Sequence, residues 1–270
     1  MKELLVRLLS GLLYIVIILF SMYAAQEWFL LLFFILGSIT LREYIKLVDL
    51  KSGFWRYAAF VFLGFWIYYF NYLYQEHLLT YILAAIVMLV DLSLIKDLFY
   101  PQSTKDLNRK GRAGLLYVIG GFLFLTLIPN RADGFTPDLI GGVFVLIWAN
   151  DSFAYLVGKN FGKKKLFPSV SPKKTIEGFF GGLAGAILAG FLIFKYVGLY
   201  PLWVWISLGI MVAVIGTLGD LIESRFKRTA GVKDSGRLMP GHGGLYDRLD
   251  SIIFVAPFVY SFLELVDYVS

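Results

Sequence analysis

The sequence has no cysteine and only two histidines, His77 and His242, among its 270 residues. Without cysteine there is no disulfide scaffold, no thiolate-held zinc or iron–sulfur centre and no cysteine nucleophile. Two histidines are too few for a His-rich metal site, so a bound metal would need oxygen ligands, which favours Mg²⁺ or a similar hard cation. Charge is also scarce. Charged residues make up 16% of the chain against 59% apolar and 18% aromatic, whereas soluble domains average about 25% charged and 45–50% apolar. With a mean hydropathy of +0.73, a water-soluble globule, a disordered chain, a collagen and a coiled coil are all excluded. No hydrophilic stretch is long enough for a separate soluble domain; the longest polar segments are 158–176 and 226–250.

Apolar runs are what the chain has in abundance. About nine stretches approach the ~20 residues that cross a bilayer as a helix: roughly 4–24, 27–46, 54–74, 78–98, 112–129, 138–157, 177–199, 201–225 and 251–269. The first is too long for a cleavable signal peptide, and Tyr23, Ala24 and Ala25 do not form a small-x-small cleavage site. The expected fold is all-α: a polytopic integral membrane protein of about nine transmembrane helices, one membrane-embedded unit over 1–270. Within it, 1–130 is expected to be scaffold, and 138–270, with the loops 158–176 and 226–250, to carry the chemistry. If successive connections alternate sides, every one of the 25 Lys and Arg residues except Arg131 and Lys195 falls on one side. That side is cytoplasmic by the positive-inside rule, which puts the N-terminus and the basic loops in the cytoplasm and the C-terminus outside. The net charge of +6 follows from the same bias, so no nucleic-acid partner is implied.

Span seven carries small residues at helical spacing: Gly178, Gly182, Ala186 and Gly190 on one ridge, Gly181, Gly185 and Ala189 on the next. Such ridges let backbones approach closely, and they permit a homodimer. No Gly-Lys-Ser/Thr follows, so this is not a Walker-type phosphate loop.

Four acidic residues fall inside or at the edge of apolar spans: Asp91, Asp151, Asp220 and Glu223. Each costs roughly 2.5–3.5 kcal/mol to insert on translocon scales, so each is expected to face the protein interior, water or a cation. Asp91 has no local partner and is expected to play a structural, hydrogen-bonding part. Asp220 and Glu223, three apart, share a helix face with Ser224. Asn150 and Asp151 lie toward the same membrane side, as do Asp247 and Asp250 before span nine. Carboxylates from three helices thus converge near one interface. Oxygen-rich clusters of this kind bind Mg²⁺; interfacial salt bridges with the neighbouring Lys and Arg would use the same spacing.

The two polar loops hold matching cations. The first carries Lys159, Lys163, Lys164 and Lys165, then Ser171, Pro172, Lys173, Lys174, Thr175, Ile176, Glu177 and Gly178 leading into span seven. A helix N-terminus flanked by hydroxyls and lysines is an anion site in principle, although basic loops also simply face anionic headgroups. The second, from Ser224 to Asp250, alternates charges of both signs with glycines, three of which surround His242. Glycines there would let backbone N–H groups reach an anionic ligand.

Residues 224–250 resemble the signature of the phosphatidate cytidylyltransferases (CDP-diacylglycerol synthases). The matching positions are Ser224, Lys227 and Arg228, Lys233 and Asp234, Pro240, His242 to Gly244, Asp247 with Arg248, and Asp250. Met239 stands where the family usually has Ile, Leu or Phe. Residues 171–178 resemble a second family motif, with Ile176 in place of a common Trp. The resemblance covers essentially the whole chain. It implies the reaction CTP + phosphatidate → CDP-diacylglycerol + pyrophosphate, with Mg²⁺ and a second cation that would assist the leaving pyrophosphate, at the cytoplasmic face of a bacterial cytoplasmic membrane. It also implies roles. Asp220 and Asp247 would hold the metal, with Asp151, Glu223 and Asp250 as further ligands or their supports. Lys173 and Lys174, beside Asn150, Ser171, Thr175 and Ser224, would receive the triphosphate. Lys227, Arg228, Lys233 and Arg248 would meet the lipid phosphate or pyrophosphate, and His242 would orient a phosphate. Rival readings are a CTP-dependent polyprenol kinase, a polytopic cation or phosphate transporter, and a non-catalytic scaffold. The first lacks the 224–250 signature; the second places its site near the midplane, often on inverted repeats; the third leaves the carboxylates and lysines unexplained.

Overall fold

The computed structural model describes residues 2–50, 53–73, 77–100, 104–131, 134–239, 241 and 243–269, with the backbone alone for 2–5, 7, 8, 54–56, 77, 104–110, 112 and 113. In chain order the elements are α1 Lys2–Ala24, α2 Gln26–Leu47, α3 Gly53–Tyr68, α4 His77–Phe99, α5 Thr104–Leu127, β1 Asn130–Arg131, β2 Gly134–Phe135, α6 Pro137–Phe161, β3 Lys165–Phe167, β4 Ser171–Thr175, α7 Ile176–Val197, α8 Leu202–Met211, α9 Thr217–Thr229 and α10 Tyr246–Val269. A π-helical turn, Tyr69–Leu73, extends α3, and a second, Val212–Gly216, joins α8 to α9 in one rod. The strands form two small antiparallel hairpins, β1 with β2 and β3 with β4.

Helices form on these runs because in lipid each backbone N–H and C=O must find its partner within its own segment. Every expected apolar stretch coincides with a helix. Six reach full crossing length and apolarity: Gln26–Leu47, Leu78–Phe99, Pro137–Phe161, Ile176–Val197, Leu202–Thr229 and Tyr246–Val269. The stretches Leu9–Ala24, Tyr57–Leu73 and Gly114–Leu127 are helical but shorter in apolar length. The chain is thus an all-α polytopic membrane protein. Of the about nine crossings expected, length and composition establish six among the described residues. The segment 158–176, expected as a loop, folds as the β3–β4 hairpin, in which Lys165 faces Thr175 and Phe167 faces Ser171.

α10 is the central helix. Of its apolar window 72% lies inside the protein, against 33–56% for the other five full-length helices. Pro257 in its middle lacks the amide that would bond the Ile253 carbonyl. α5 comes close at that carbonyl through Gly121, where a side chain would collide with the Ile253 backbone. Toward the start of α10, Tyr44 of α2 packs edge-on against Tyr117 of α5, Phe226 of α9 and Tyr246 of α10. Amino-terminal and carboxy-terminal helices therefore share one apolar core.

The glycine ridges of α7 are filled from within the chain. Gly178 lies on Ala154 and Gly158 of α6, Gly181 on Val157 and Gly185 on Phe153. A Cβ at Gly182 would come within 2.6 Å of the Asn150 Oδ1. On the other side Gly190 meets the Trp205 carbonyl of α8, and Gly209 of α8 meets the Ala186 carbonyl.

Candidate active site

α7 begins at Thr175, whose hydroxyl caps the helix by accepting the Gly178 N–H at 3.1 Å. The cap is buried against Gly158 and Gly162 at the end of α6. Glu177, in the first turn of α7, accepts the backbone N–H groups of Lys163 (3.0 Å) and Lys164 (3.2 Å). These bonds fix the β3–β4 hairpin over the helix ends. On β4, Lys173 is exposed while Lys174 is half-buried. Lys174 Nζ lies 2.6 Å from Asp220 Oδ2 of α9.

Asp220 stands one turn past the π-helical segment, with Glu223 and Ser224 on the same face. Ser224 Oγ donates to Asp220 Oδ1 at 3.4 Å. Gly219 allows α10 to approach closely; a side chain there would press on Phe254 and on the Asp250 carbonyl. As a result one carboxylate oxygen each from Asp220, Glu223 and Asp250 lie within 4.8 Å of one another. Glu223 and Asp250 are buried and Asp220 is partly so. Asp250 Oδ1 accepts the Ser251 N–H at 2.8 Å. Glu223 Oε1 is buried without a hydrogen-bond partner among the described residues. Asp151 of α6 accepts from Asn150 Nδ2 at 3.3 Å and is within electrostatic reach of Asp220, Lys174 and Arg248.

Lys227 closes the other flank. Its ammonium sits 2.8 Å from Glu223 Oε2 and 2.6 Å from Asp247 Oδ1. Asp247 Oδ2 accepts the N–H groups of Ser235 (3.0 Å) and Gly244 (2.7 Å) and lies 2.9 Å from Ser235 Oγ. Oδ2 of Asp247 thus holds the 235–244 loop to α10, while Oδ1 ties α10 to Lys227 of α9. Met239 and Gly243 exchange backbone hydrogen bonds of 3.0 and 3.2 Å across a tight turn. Gly241 and Gly243 there have φ of +75° and +92°, a region that favours glycine.

The structure thus brings together Asp220, Glu223, Asp250, Asp151, Asn150, Ser224, Lys174, Lys227 and Asp247. The remaining expected residues are disposed differently. Arg228 braces backbone, donating to the carbonyls of Val170 (3.4 Å) and Val232 (3.1 Å). Thr175 serves as the helix cap. Ser171 opens β4, and Lys173, Lys233 and Arg248 are exposed. His242 and Pro240 lie outside the described residues. Asp91 is fully buried in α4, yet neither carboxylate oxygen meets a donor among the described residues, so the hydrogen-bonding part expected of it is not seen.

One residue at the site escaped the sequence reading. Glu43 of α2 is 7% exposed. Its Oε2 accepts the Tyr246 N–H at 2.8 Å and lies 2.9 Å from Ser235 Oγ. It is a further acidic residue in an apolar span, and that was the available signal. Its neighbours Arg42 and Lys46 gave it the look of a solvated helix end.

Fold and site define a polytopic membrane protein with a buried acidic cluster flanked by two lysines. Comparison with known proteins assigns it. Residues 5–266 match the Cytidylyltransferase family. A Haemophilus influenzae protein named phosphatidate cytidylyltransferase is 35% identical over 283 aligned positions, covering 93% of this chain and 96% of its own. A Bacillus subtilis protein of the same name is 34% identical over 268 positions, covering 96% and 97%. A Staphylococcus aureus protein, also so named, is 47% identical over 143 positions, about half of each chain (52% and 53%). The chain belongs to the cytidylyltransferase family and is a nucleotidyltransferase.

Proposed function

We propose that this enzyme transfers the cytidylyl group of CTP to phosphatidate, releasing pyrophosphate and leaving CDP-diacylglycerol in the membrane. The observation that carries the reading is the convergence of Asp220, Glu223 and Asp250 between Lys174 and Lys227, in a chain whose near-full-length relatives bear that name. The basic loops support a site on the cytoplasmic side, where CTP from the cytosol and phosphatidate from the leaflet would meet; the bacterial relatives favour a bacterial cytoplasmic membrane.

The acidic trio fits a divalent cation of the Mg²⁺ type. The donors are all oxygen, which suits a hard cation, and the buried Glu223 Oε1 is an acceptor without a partner among the described residues. Asp220, Glu223 and Asp250 would hold the ion, which when bound offsets the charge of the phosphates and of the leaving pyrophosphate. Asp151, in reach of Asp220 and Lys174, is the candidate ligand for a second cation.

The protein's own part is positioning and charge neutralisation, as in phosphoryl transfer generally. An oxygen of the lipid phosphate attacks the α-phosphorus of CTP, forming the new P–O bond. The bond from that phosphorus to the bridging oxygen of the β-phosphate breaks, and pyrophosphate leaves. Phosphatidate is already ionised near neutral pH, so no strong base is needed. Lys174 exchanges Asp220 for a triphosphate oxygen. Lys227 offsets the repulsion between Glu223 and Asp247 and holds both in place. Exposed Arg248, Lys233 and Lys173, with His242, offer further contacts to phosphate oxygens. A homodimer would use surfaces other than the α7 ridges, which are filled from within.

The test is purified protein in detergent with phosphatidate, Mg²⁺ and α-³²P-CTP. Label in the lipid phase with matching pyrophosphate release, both abolished by EDTA, is the expected result. No lipid label from folded protein would overturn the reading.

A further inference from the structure

Glu43 is a carboxylate with no cation beside it among the described residues, buried in the half of the molecule expected to be scaffold. Burying an unpaired carboxylate costs several kcal/mol, so what it holds matters. It holds the start of α10. The Tyr246 N–H, first of the helix, has no partner within the helix and donates to Glu43 Oε2 at 2.8 Å. Glu43 thus caps, from 203 positions away, the helix that carries Asp247 and Asp250. The same oxygen lies 2.9 Å from Ser235 Oγ, which lies 2.9 Å from Asp247 Oδ2. That hydroxyl has one proton, so it donates to one carboxylate at a time and ties the two together.

Two glycines of the 224–250 segment have their reason here. A side chain on Gly236 would overlap the Glu43 carboxylate, and one on Gly244 would overlap both Ser235 Oγ and Glu43. The loop wraps the Glu43 carboxylate from two sides. These glycines make room for an internal anion rather than for a bound one.

From Glu43 a continuous set of contacts runs through Ser235 and Tyr246 to Asp247, then to Lys227 and Glu223. Asp250 rides on α10 one turn beyond Tyr246. We propose that Glu43 is a positioning residue: by fixing the first turn of α10 and the 235–244 loop, it sets the spacing of the Asp220–Glu223–Asp250 trio. The inference rests on the reading of that trio as a cation site.

The experiment measures Mn²⁺ binding to the substrate-free protein by electron paramagnetic resonance, beside kcat and KM for CTP. Asp220→Asn is the control and should abolish binding. Glu43→Ala should weaken Mn²⁺ affinity at least tenfold and lower kcat, with KM for CTP changing less than threefold. Glu43→Gln should restore affinity to within threefold of the parent, since its amide oxygen in the place of Oε2 still accepts from both the Tyr246 N–H and the Ser235 hydroxyl. Glu43→Asp, one methylene short, should behave like alanine. If Glu43→Ala does not fold, Ser235→Ala decides; it should lose about threefold in affinity. Parent-like Mn²⁺ affinity in folded Glu43→Ala, in Ser235→Ala where alanine at 43 does not fold, or a glutamine variant no better than alanine, would overturn the proposal. If the parent binds no Mn²⁺, the cation reading of the trio fails and the proposal falls with it.

Discussion

α10 carries acidic residues at both ends, and the two ends treat them differently. At its far end Arg131 bonds Glu264 at 3.0 Å and Asp267 at 3.1 Å, and Tyr200 donates to Asp267 at 2.8 Å. Each carboxylate there is met by a cation or a hydroxyl, and the Arg131 side chain is only 9% exposed. At its near end, about 25 Å away by helix rise, Asp220, Glu223, Asp247 and Asp250 crowd together with Asp151 in reach, while Lys174 and Lys227 are the only ammonium groups in ion pairs with them among the described residues. One cation serves two carboxylates there, but Arg131 reaches both and tyrosine hydroxyls meet their other oxygens, which makes a clasp. A surplus of carboxylates, one oxygen of them buried and bare, is a place that awaits positive charge from elsewhere.

The comparison can be broken most sharply at the surplus end. Asp220→Asn should lower turnover by on the order of 10²–10³-fold or more while far-UV circular dichroism and melting temperature stay near the parent's. Near-parental turnover would make the acidic trio another clasp. Lys174→Ala should raise KM for CTP roughly tenfold, the worth of about one charge-assisted hydrogen bond, as read from initial rates over a CTP series; an unchanged KM would remove Lys174 from the nucleotide. At the Arg131 end the signature reverses. Arg131→Ala leaves two carboxylates without their cation and should cost about 3 kcal/mol of stability, seen as a lower melting temperature in detergent, with kcat per folded molecule within twofold of the parent. The smallest effect is expected for Tyr200→Phe, about 1 kcal/mol for one hydrogen bond. Burial and the bond to Asp267 push the Tyr200 phenol up to about 12. A group raised in this way contributes its stability fully below its ordinary value near 10 and loses it only as pH climbs toward 12. The loss on mutation should therefore be the same at pH 6 and pH 9.

The sequence marks the helices well because a 20-residue apolar run has few alternatives in lipid. It marks the trio partly: Asp220 and Glu223 share a face by spacing alone, and Asp250 follows from counting spans to one interface. Asp247 was expected beside Asp220 at the metal. In the structure its oxygens meet Lys227, the Ser235 and Gly244 amides and the Ser235 hydroxyl, contacts that depend on how 235–244 folds back and not on any spacing. The β3–β4 hairpin was read as loop because its strand Ser171–Thr175 contains Pro172 and two lysines, with no apolar alternation to betray it. Glu43 was missed because its partners are a hydroxyl and an amide about 200 positions on, and contacts of that kind leave no local pattern.

The π-helical turn at Val212–Gly216 has a consequence for how this stretch can change. Such a turn contains one residue more than an α-helical path would use. The turn absorbs that residue, so α9 keeps the facing it would have on an uninterrupted helix one residue shorter. Were the same residues to wind as α-helix instead, everything downstream would turn by roughly 100°. Asp220 and Glu223 would then swing away from α10 while the hydrophobic length of the span stayed almost the same. The winding of the helix, and not only its composition, is therefore under constraint.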